Sequence, residues 1–268
     1  MKLYGVFFLL FCCNKGLDDY IYNQMQQCCN KKTLNMIKIE NANKSFKGSP
    51  AVQNLSLAVG AGEIVGLLGA NGAGKSTTIN LLLGFLSPDS GQVQINQKDC
   101  FSDSSEVRSL IGYIPENVNL YPYLTGLENL DYFCKLAGLT YTKTELVEFL
   151  STCGLQEDAH NKKVVAYSKG MRQKVGISIA YAKKAKVYLL DEPASGLDPL
   201  ASNELSVLLQ KLAAEGAAVL MASHDIFRVR EVCHRIGILR QGQLVQELRS
   251  EAVSANELET LYLNFMKN

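Results

Sequence analysis

The sequence predicts an α/β fold: a sheet of buried parallel strands with helices on its faces, interrupted by an inserted helical subdomain. Three observations predict it. From Met36 onward, short apolar or alternating runs exchange regularly with helix-like segments. One such exchange carries a glycine-rich loop, Gly69-Ala70-Asn71-Gly72-Ala73-Gly74-Lys75-Ser76, set between an apolar strand and a helix. Between about residue 120 and residue 182, helical segments follow one another without an intervening strand.

The elements follow in order. Ile37–Glu40, Leu55–Val59, Ile64–Leu68 and Gln92–Ile95 read as strands, by alternation or as short apolar runs. Lys75–Gly84 reads as a helix that opens directly from the glycine loop. Gly126–Lys135, Lys143–Leu150 and Ser168–Ala182 read as the inserted helices. Val187–Leu190, Ala217–Ala222 and Arg235–Leu239 have the composition of buried parallel strands. Asn203–Glu215 is amphipathic between two of them, and Asn256–Lys267 reads as a closing helix. No internal repeat and no low-complexity linker follows Met36.

Residues 1–35 differ from the rest. Gly5–Cys13 is a short apolar run behind Lys2, and a stretch rich in Asn and Gln follows it. Three readings stand open: a secretion signal, a metal site on Cys12, Cys13, Cys28 and Cys29, or an extension preceding a natural start at Met36. No small-x-small cleavage site follows the run, and adjacent cysteines suit tetrahedral ligation poorly. The expectation is therefore the extension, with the folded domain spanning 36–268.

Composition limits the function. A net charge of +1 over 268 residues speaks against a nucleic-acid partner held by bulk charge. No apolar run approaches the roughly 20 residues that span a bilayer, so any work at a membrane needs spanning helices from another chain. The eight cysteines include no CxxC pair and suggest no disulfide framework.

The glycine loop fits GxxxxGK[ST] in the strand–loop–helix context that the motif requires. Glycines let backbone N–H groups turn inward around phosphate oxygens, and the helix N-terminus adds a positive dipole end. Lys75 supplies a charge for the β- and γ-phosphates, Ser76 a hydroxyl for Mg²⁺, and Thr77 a contact to the α-phosphate. The predicted ligand is ATP. Val187–Leu190 ends in Asp191 and Glu192. Asp191 would hold Mg²⁺, and Glu192 would activate the attacking water. Two solvated acids at a strand end would be the bland explanation, which weakens beside the glycine loop.

With these residues in place, the chain from 36 to about 245 resembles the ABC (ATP-binding cassette) ATPases. Tyr167-Ser168-Lys169-Gly170-Met171-Arg172-Gln173 is similar to the signature motif of that family, with Ser168 and Gly170 at its serine and second-glycine positions. Read alone, Ser168 is a helix N-cap. Ser195-Gly196-Leu197-Asp198 resembles the D-loop, and His224 the switch histidine that contacts the γ-phosphate. Phe46 matches the aromatic that stacks on adenine, with a core role at a strand end as its alternative. Ile111–Glu116 aligns with the Q-loop, where Glu116 stands in place of the usual glutamine and could still meet Mg²⁺. The same Glu occurs in related exporter ATPases that are separate from their permease.

The resemblance implies a phosphate-loop NTPase core with an N-terminal antiparallel β portion. It also implies ATP hydrolysis and a cytoplasmic position on the inner face of the cell membrane. The signature variant implies an ABC-2 type exporter with an integral-membrane permease as partner. The loop Asn117–Leu124 would touch that permease. A second copy of the chain, or a homologous ATPase, would complete each nucleotide site. A soluble, non-transport ABC ATPase is the alternative, and one cassette without a long coiled-coil insertion counts against it. A cassette without hydrolysis is a third reading, opposed by Glu192 and His224. Tyr113–Val118, Leu120–Pro122 and Tyr167–Gln173 further resemble the ATPase of a copper-processing transporter of nitrous oxide reductase maturation, although drug and lipid exporters carry the same words.

Overall fold

The computed structural model describes residues 35–267. The apolar run Gly5–Cys13 and the four early cysteines lie outside them.

The chain opens with a hairpin of two long strands, β1 (Asn35–Phe46) and β2 (Ser49–Gly60). Lys47 and Gly48 turn it, both with positive φ, which suits the right-handed strand twist. Sequence reading places strands only at Ile37–Glu40 and Leu55–Val59, because the hydrophobic alternation fades where β1 becomes polar and exposed. β4 (Ser90–Ile95) pairs with β1, and the short β5 (Lys98–Asp99) pairs with β4. The result is an antiparallel sheet in the order β2-β1-β4-β5.

The second sheet holds the apolar runs. Its strands are β3 (Ile64–Leu68), β6 (Ile111–Ile114), β7 (Val187–Asp191), β8 (Ala218–Ser223), β9 (Arg235–Arg240) and β10 (Gln243–Arg249). The order is β10-β9-β3-β8-β7-β6, parallel throughout except for β10, which returns antiparallel beside β9. β3, β7 and β8 are buried at every residue because both faces are covered. Their side chains alternate between two cores. Val65, Leu67, Val187 and Leu189 pack toward the antiparallel sheet and α1 (Lys75–Leu82). Ile64, Leu68, Tyr188 and Leu190 pack with α7 (Pro199–Ala214) and α8 (Ile226–Val232), with α9 (Ala255–Lys267) joining the same core. In chain order, α2 (Ser104–Ser109) precedes β6.

The inserted helices are α3 (Gly126–Leu136), α4 (Lys143–Thr152), α5 (Glu157–His160) and α6 (Lys169–Ala182). α3 and α4 each begin at a capping box, Thr125 with Glu128 and Thr142 with Glu145. They bury Leu127, Leu130, Leu146, Phe149 and Leu150 in a third core closed by Tyr167 and Val175. α6 also packs on β6 and so joins the helical part to the sheet. α7 starts at Pro199, four residues before its amphipathic pattern is legible, because Asp198 accepts the N–H of Ala201 as N-cap.

Candidate functional site

β3 sits in the middle of the parallel sheet and ends at Leu68, so the glycine loop emerges at the carboxyl ends of the strands, where open α/β sheets hold ligands. The loop turns on Gly74, whose φ of +106 excludes other residues, and Gly74 caps α1. Lys75 is only 6% exposed. Its Nζ donates to Gly69 O at 2.6 Å and to Ala70 O at 3.2 Å, and lies 3.6 Å from Glu192 Oε1. The ammonium is thus held at the loop's own carbonyls, facing the acid at the end of β7.

That acid has an unusual backbone. Glu192 adopts φ +47, a strained region for a non-glycine residue, and its N–H donates to Ala222 O at 2.9 Å. The side chain, 11% exposed, accepts from Ser223 Oγ at 3.2 Å and from the His224 N–H at 3.4 Å. His224 Nδ1 lies 2.9 Å from Glu192 Oε1 without hydrogen-bond alignment, since that oxygen has no hydrogen-bond partner among the described residues. The His224 ring is otherwise exposed.

Asp191 is buried beside it. Burial is the main cause that raises its pKa above the usual carboxylate value. The Ser76 hydroxyl and the Lys75 ammonium oppose that shift, while Glu192 and Glu116 add to it. Asp191 Oδ1 has no hydrogen-bond partner among the described residues. A buried carboxylate oxygen left unpaired next to a serine hydroxyl is a donor set that fits a divalent cation. Among the described residues no group of three or more His, Cys, Asp or Glu is placed to hold a metal alone. Mg²⁺ bound here would therefore take the rest of its oxygen ligands from a nucleotide phosphate and water.

One cleft of about 240 Å³ gathers Ala70, Asn71, Gly72, Gly74, Lys75, Ser76, Thr77, Glu116, Asp191, Glu192 and His224. Gly69 and Ala73 form the buried floor of the same loop. Phe46 stands apart from the lining. It is 45% exposed at the end of β1, under the Lys44 ammonium, on the hairpin whose second strand brings Ala51 to the cleft. The alternative of a core role for Phe46 is corrected by this exposure: β1 has left the core by residue 46.

Ser168 and Gly170 lie elsewhere. Ser168 caps α6, accepting from the Met171 N–H at 3.2 Å. Together with Gly170 it lines a separate cleft of about 380 Å³ against Gly196, Leu197 and Asp198. The signature segment and the D-loop segment meet there, and neither reaches the glycine loop of the same chain.

Some residues around the site were not legible beforehand. Ala51 and Gly242 carry no motif, and Tyr113 stands only within the Q-loop-like stretch Ile111–Glu116. Tyr113 is half-buried, and its hydroxyl is pushed up by burial and by the charge of Asp191. Gln173 was visible only as the end of the signature segment.

A model of the ABC transporter family matches residues 52–195. The chain belongs to the ABC transporter family. Known proteins agree. The chain is 35% identical to the linearmycin resistance ATP-binding protein of Bacillus subtilis (strain 168), over 78% of this chain and 68% of that protein. It is 36% identical to the bacitracin transport ATP-binding protein of Bacillus licheniformis, over 80% of this chain and 69% of that protein. Its fold matches an ATP-binding cassette solved as a dimer in a post-hydrolysis state with ADP and Pi. That likeness has a TM-score of 0.74 and 29% identity, and covers 80% of this chain and 99% of the other. This ABC cassette is an ATP-binding, ATP-hydrolysing subunit of a transporter.

Proposed function

We propose that this cassette powers an ABC-2 type exporter whose membrane-spanning part is a separate permease chain, and that two cassettes close over two ATP molecules. The separation of the two clefts carries the reading. Within one chain Ser168 and Gly170 line a different cleft from the glycine loop, so a second copy, or a homologous ATPase, would bring a signature segment over each nucleotide. The dimeric cassette structure reported above supports that arrangement.

In the proposed reaction the glycine loop and Lys75 cradle the β- and γ-phosphates, while Thr77 meets the α-phosphate. Ser76 and Asp191 would hold Mg²⁺ with Glu116 nearby; the ion supplies neutralising charge for the phosphates. Glu192 takes the proton of the attacking water, and its carboxylate, which accepts from Ser223 Oγ and the His224 N–H, lies 3.6 Å from the Lys75 ammonium. His224 contacts the γ-phosphate, and Phe46 stacks on adenine.

The permease assignment rests on two further points. Among the described residues no helix is long and apolar enough to cross a membrane. The loop Asn117–Leu124 exposes Tyr121 and Tyr123, and Tyr121 packs edge-on against Tyr132 with ring centroids 4.9 Å apart. Exposed aromatics clustered on one surface suit a protein partner. The cassette would then sit peripherally on the cytoplasmic face of the cell membrane. The copper-processing subgroup remains a narrower form of this proposal, and the names of the relatives reported above do not speak to it.

Glu192→Gln tests the mechanism. It should lower Mg²⁺-dependent ATP turnover by roughly 10²-fold or more, the scale of a lost general base. ATP binding should persist, and ATP should drive the variant to a dimer in size-exclusion chromatography. Wild-type turnover in this variant would remove Glu192 from the role of base.

A further inference from the structure

A buried amide links the signature helix to the peptides beside Glu116 and Glu192, the two acids just past neighbouring strands. Gln173 lies one turn into α6 and is 1% exposed. Its Nε2 donates to Pro193 O at 3.1 Å and lies 3.5 Å from Pro115 O. Pro193 directly follows Glu192, and Pro115 directly precedes Glu116. β6 and β7 are adjacent parallel strands, so these two carbonyls mark where the sheet hands over to the loops that carry the acids.

The same helix grips the Glu192 segment at two more points. Lys169 Nζ donates to Ser195 Oγ at 2.8 Å. Gly170 lies so close to Gly196 O that an added Cβ would sit 3.0 Å from it. α6 therefore holds residues 193–196 through three successive contacts, and its first turn is the one that carries Ser168. Glu192 itself is in a left-handed conformation that its surroundings must enforce.

We propose that Gln173 is a positioning residue. Its amide fixes the peptides flanking Glu116 and Glu192, so that a displacement of the Ser168 end of α6 is transmitted to both acids. The inference rests on the reading of Glu192 as the base. That reading has its own test in Glu192→Gln, which leaves Gln173 and its two carbonyl contacts in place.

The chemistry of the amide supplies the experiment. Gln173→Met keeps the length and removes the donor. Gln173→Glu keeps the length and donates an O–H to Pro193 O only while protonated, and burial favours that neutral form. The full chain would be assayed for Mg²⁺-dependent ATP turnover and for ATP affinity between pH 6 and 9, with folding followed by thermal unfolding. Losing one buried donor predicts a roughly tenfold fall in kcat for Gln173→Met at every pH, with ATP affinity within about twofold of wild type. Gln173→Glu should run near wild type at the acid end and fall toward Gln173→Met as pH rises. The proposal is overturned if both variants keep wild-type kcat, or if kcat and ATP affinity fall together without the pH dependence of Gln173→Glu. If Gln173→Met does not fold, the pH profile of Gln173→Glu relative to wild type decides alone, a flat ratio overturning the proposal.

Discussion

Replacing Gly242 with alanine should weaken ATP binding, although it lies far along the chain from the glycine loop that ends at Ser76. Gly242 turns the β9–β10 hairpin at φ +80. Its N–H donates to Ala73 O at 2.9 Å, and its carbonyl accepts the Gln53 N–H at 2.8 Å. A Cβ added there would lie 2.7 Å from Ala51 O and 2.9 Å from both Ala51 C and Val52 Cα. Gly74 meets the same neighbours from the other side: its own added Cβ would sit 2.5 Å from Ala51 O. The left-handed conformation alone costs alanine ~1–2 kcal/mol. Crowding against backbone that cannot rotate away adds ~1–3 kcal/mol. Gly216→Ala is the control, because Gly216 has φ +97 but open space around its added Cβ. The conformational part is common to both, so urea unfolding should place Gly242→Ala ~1–3 kcal/mol below Gly216→Ala. Strain of ~1.4 kcal/mol relieved by shifting the loop would weaken ATP binding about tenfold in Gly242→Ala and leave it unchanged in Gly216→Ala. Titration calorimetry with ATP reads this directly. Equal stability losses with unchanged ATP affinity in both variants would refute the idea that the hairpin braces the loop.

Two further outcomes follow from buried titratable groups. Asp191 has its pKa raised above 3.8, so the folded chain binds its proton more tightly than the unfolded chain. Its ionisation therefore removes stability as pH rises from about the unfolded value through the raised one. Asp191→Asn should melt above wild type in Mg²⁺-free buffer at pH 8, and the gap should close as pH is lowered toward 4; a gap that widens on acidification would contradict the sign. The thiols of Cys100 and Cys153 are pushed up by burial to about 12 and that of Cys134 to about 11, and Cys233 is raised further in the same direction. Iodoacetamide at pH 8 should leave these four unlabelled in the native protein and label them in urea, as read by peptide mass mapping; rapid native labelling of any one would show that its cover opens.

What was legible in the sequence was what the chain writes contiguously. Gly69–Ser76 and Asp191–Glu192 each occupy one stretch, and each follows an apolar run that the sheet buries on both faces. β6 was harder, because four residues ending at a proline carry too little periodicity to separate a strand from an approach to a loop. β10 and the polar half of β1 are half-buried or exposed over most of their length and show no regular alternation. The brace of the loop was out of reach for another reason. Ala51, Gly74 and Gly242 meet only once three elements have closed, and a glycine at residue 242 reads as a hairpin turn whether or not another backbone rests on it.

The separation of Ser168 from Lys75 has the same origin and a larger consequence. Both segments start helices, both offer N–H groups to an anion, and both belong to one chain. α6 is committed elsewhere, however: Val175 and Tyr167 seal the helical core, and Gln173, Lys169 and Gly170 tie its start to residues 193–196. Swinging Ser168 onto its own glycine loop would break those contacts and uncover that core. Completing the site from a second chain breaks none of them. The free-energy difference between these two routes is what makes a two-cassette arrangement the economical reading, and it comes from how α6 is packed and not from the signature residues themselves.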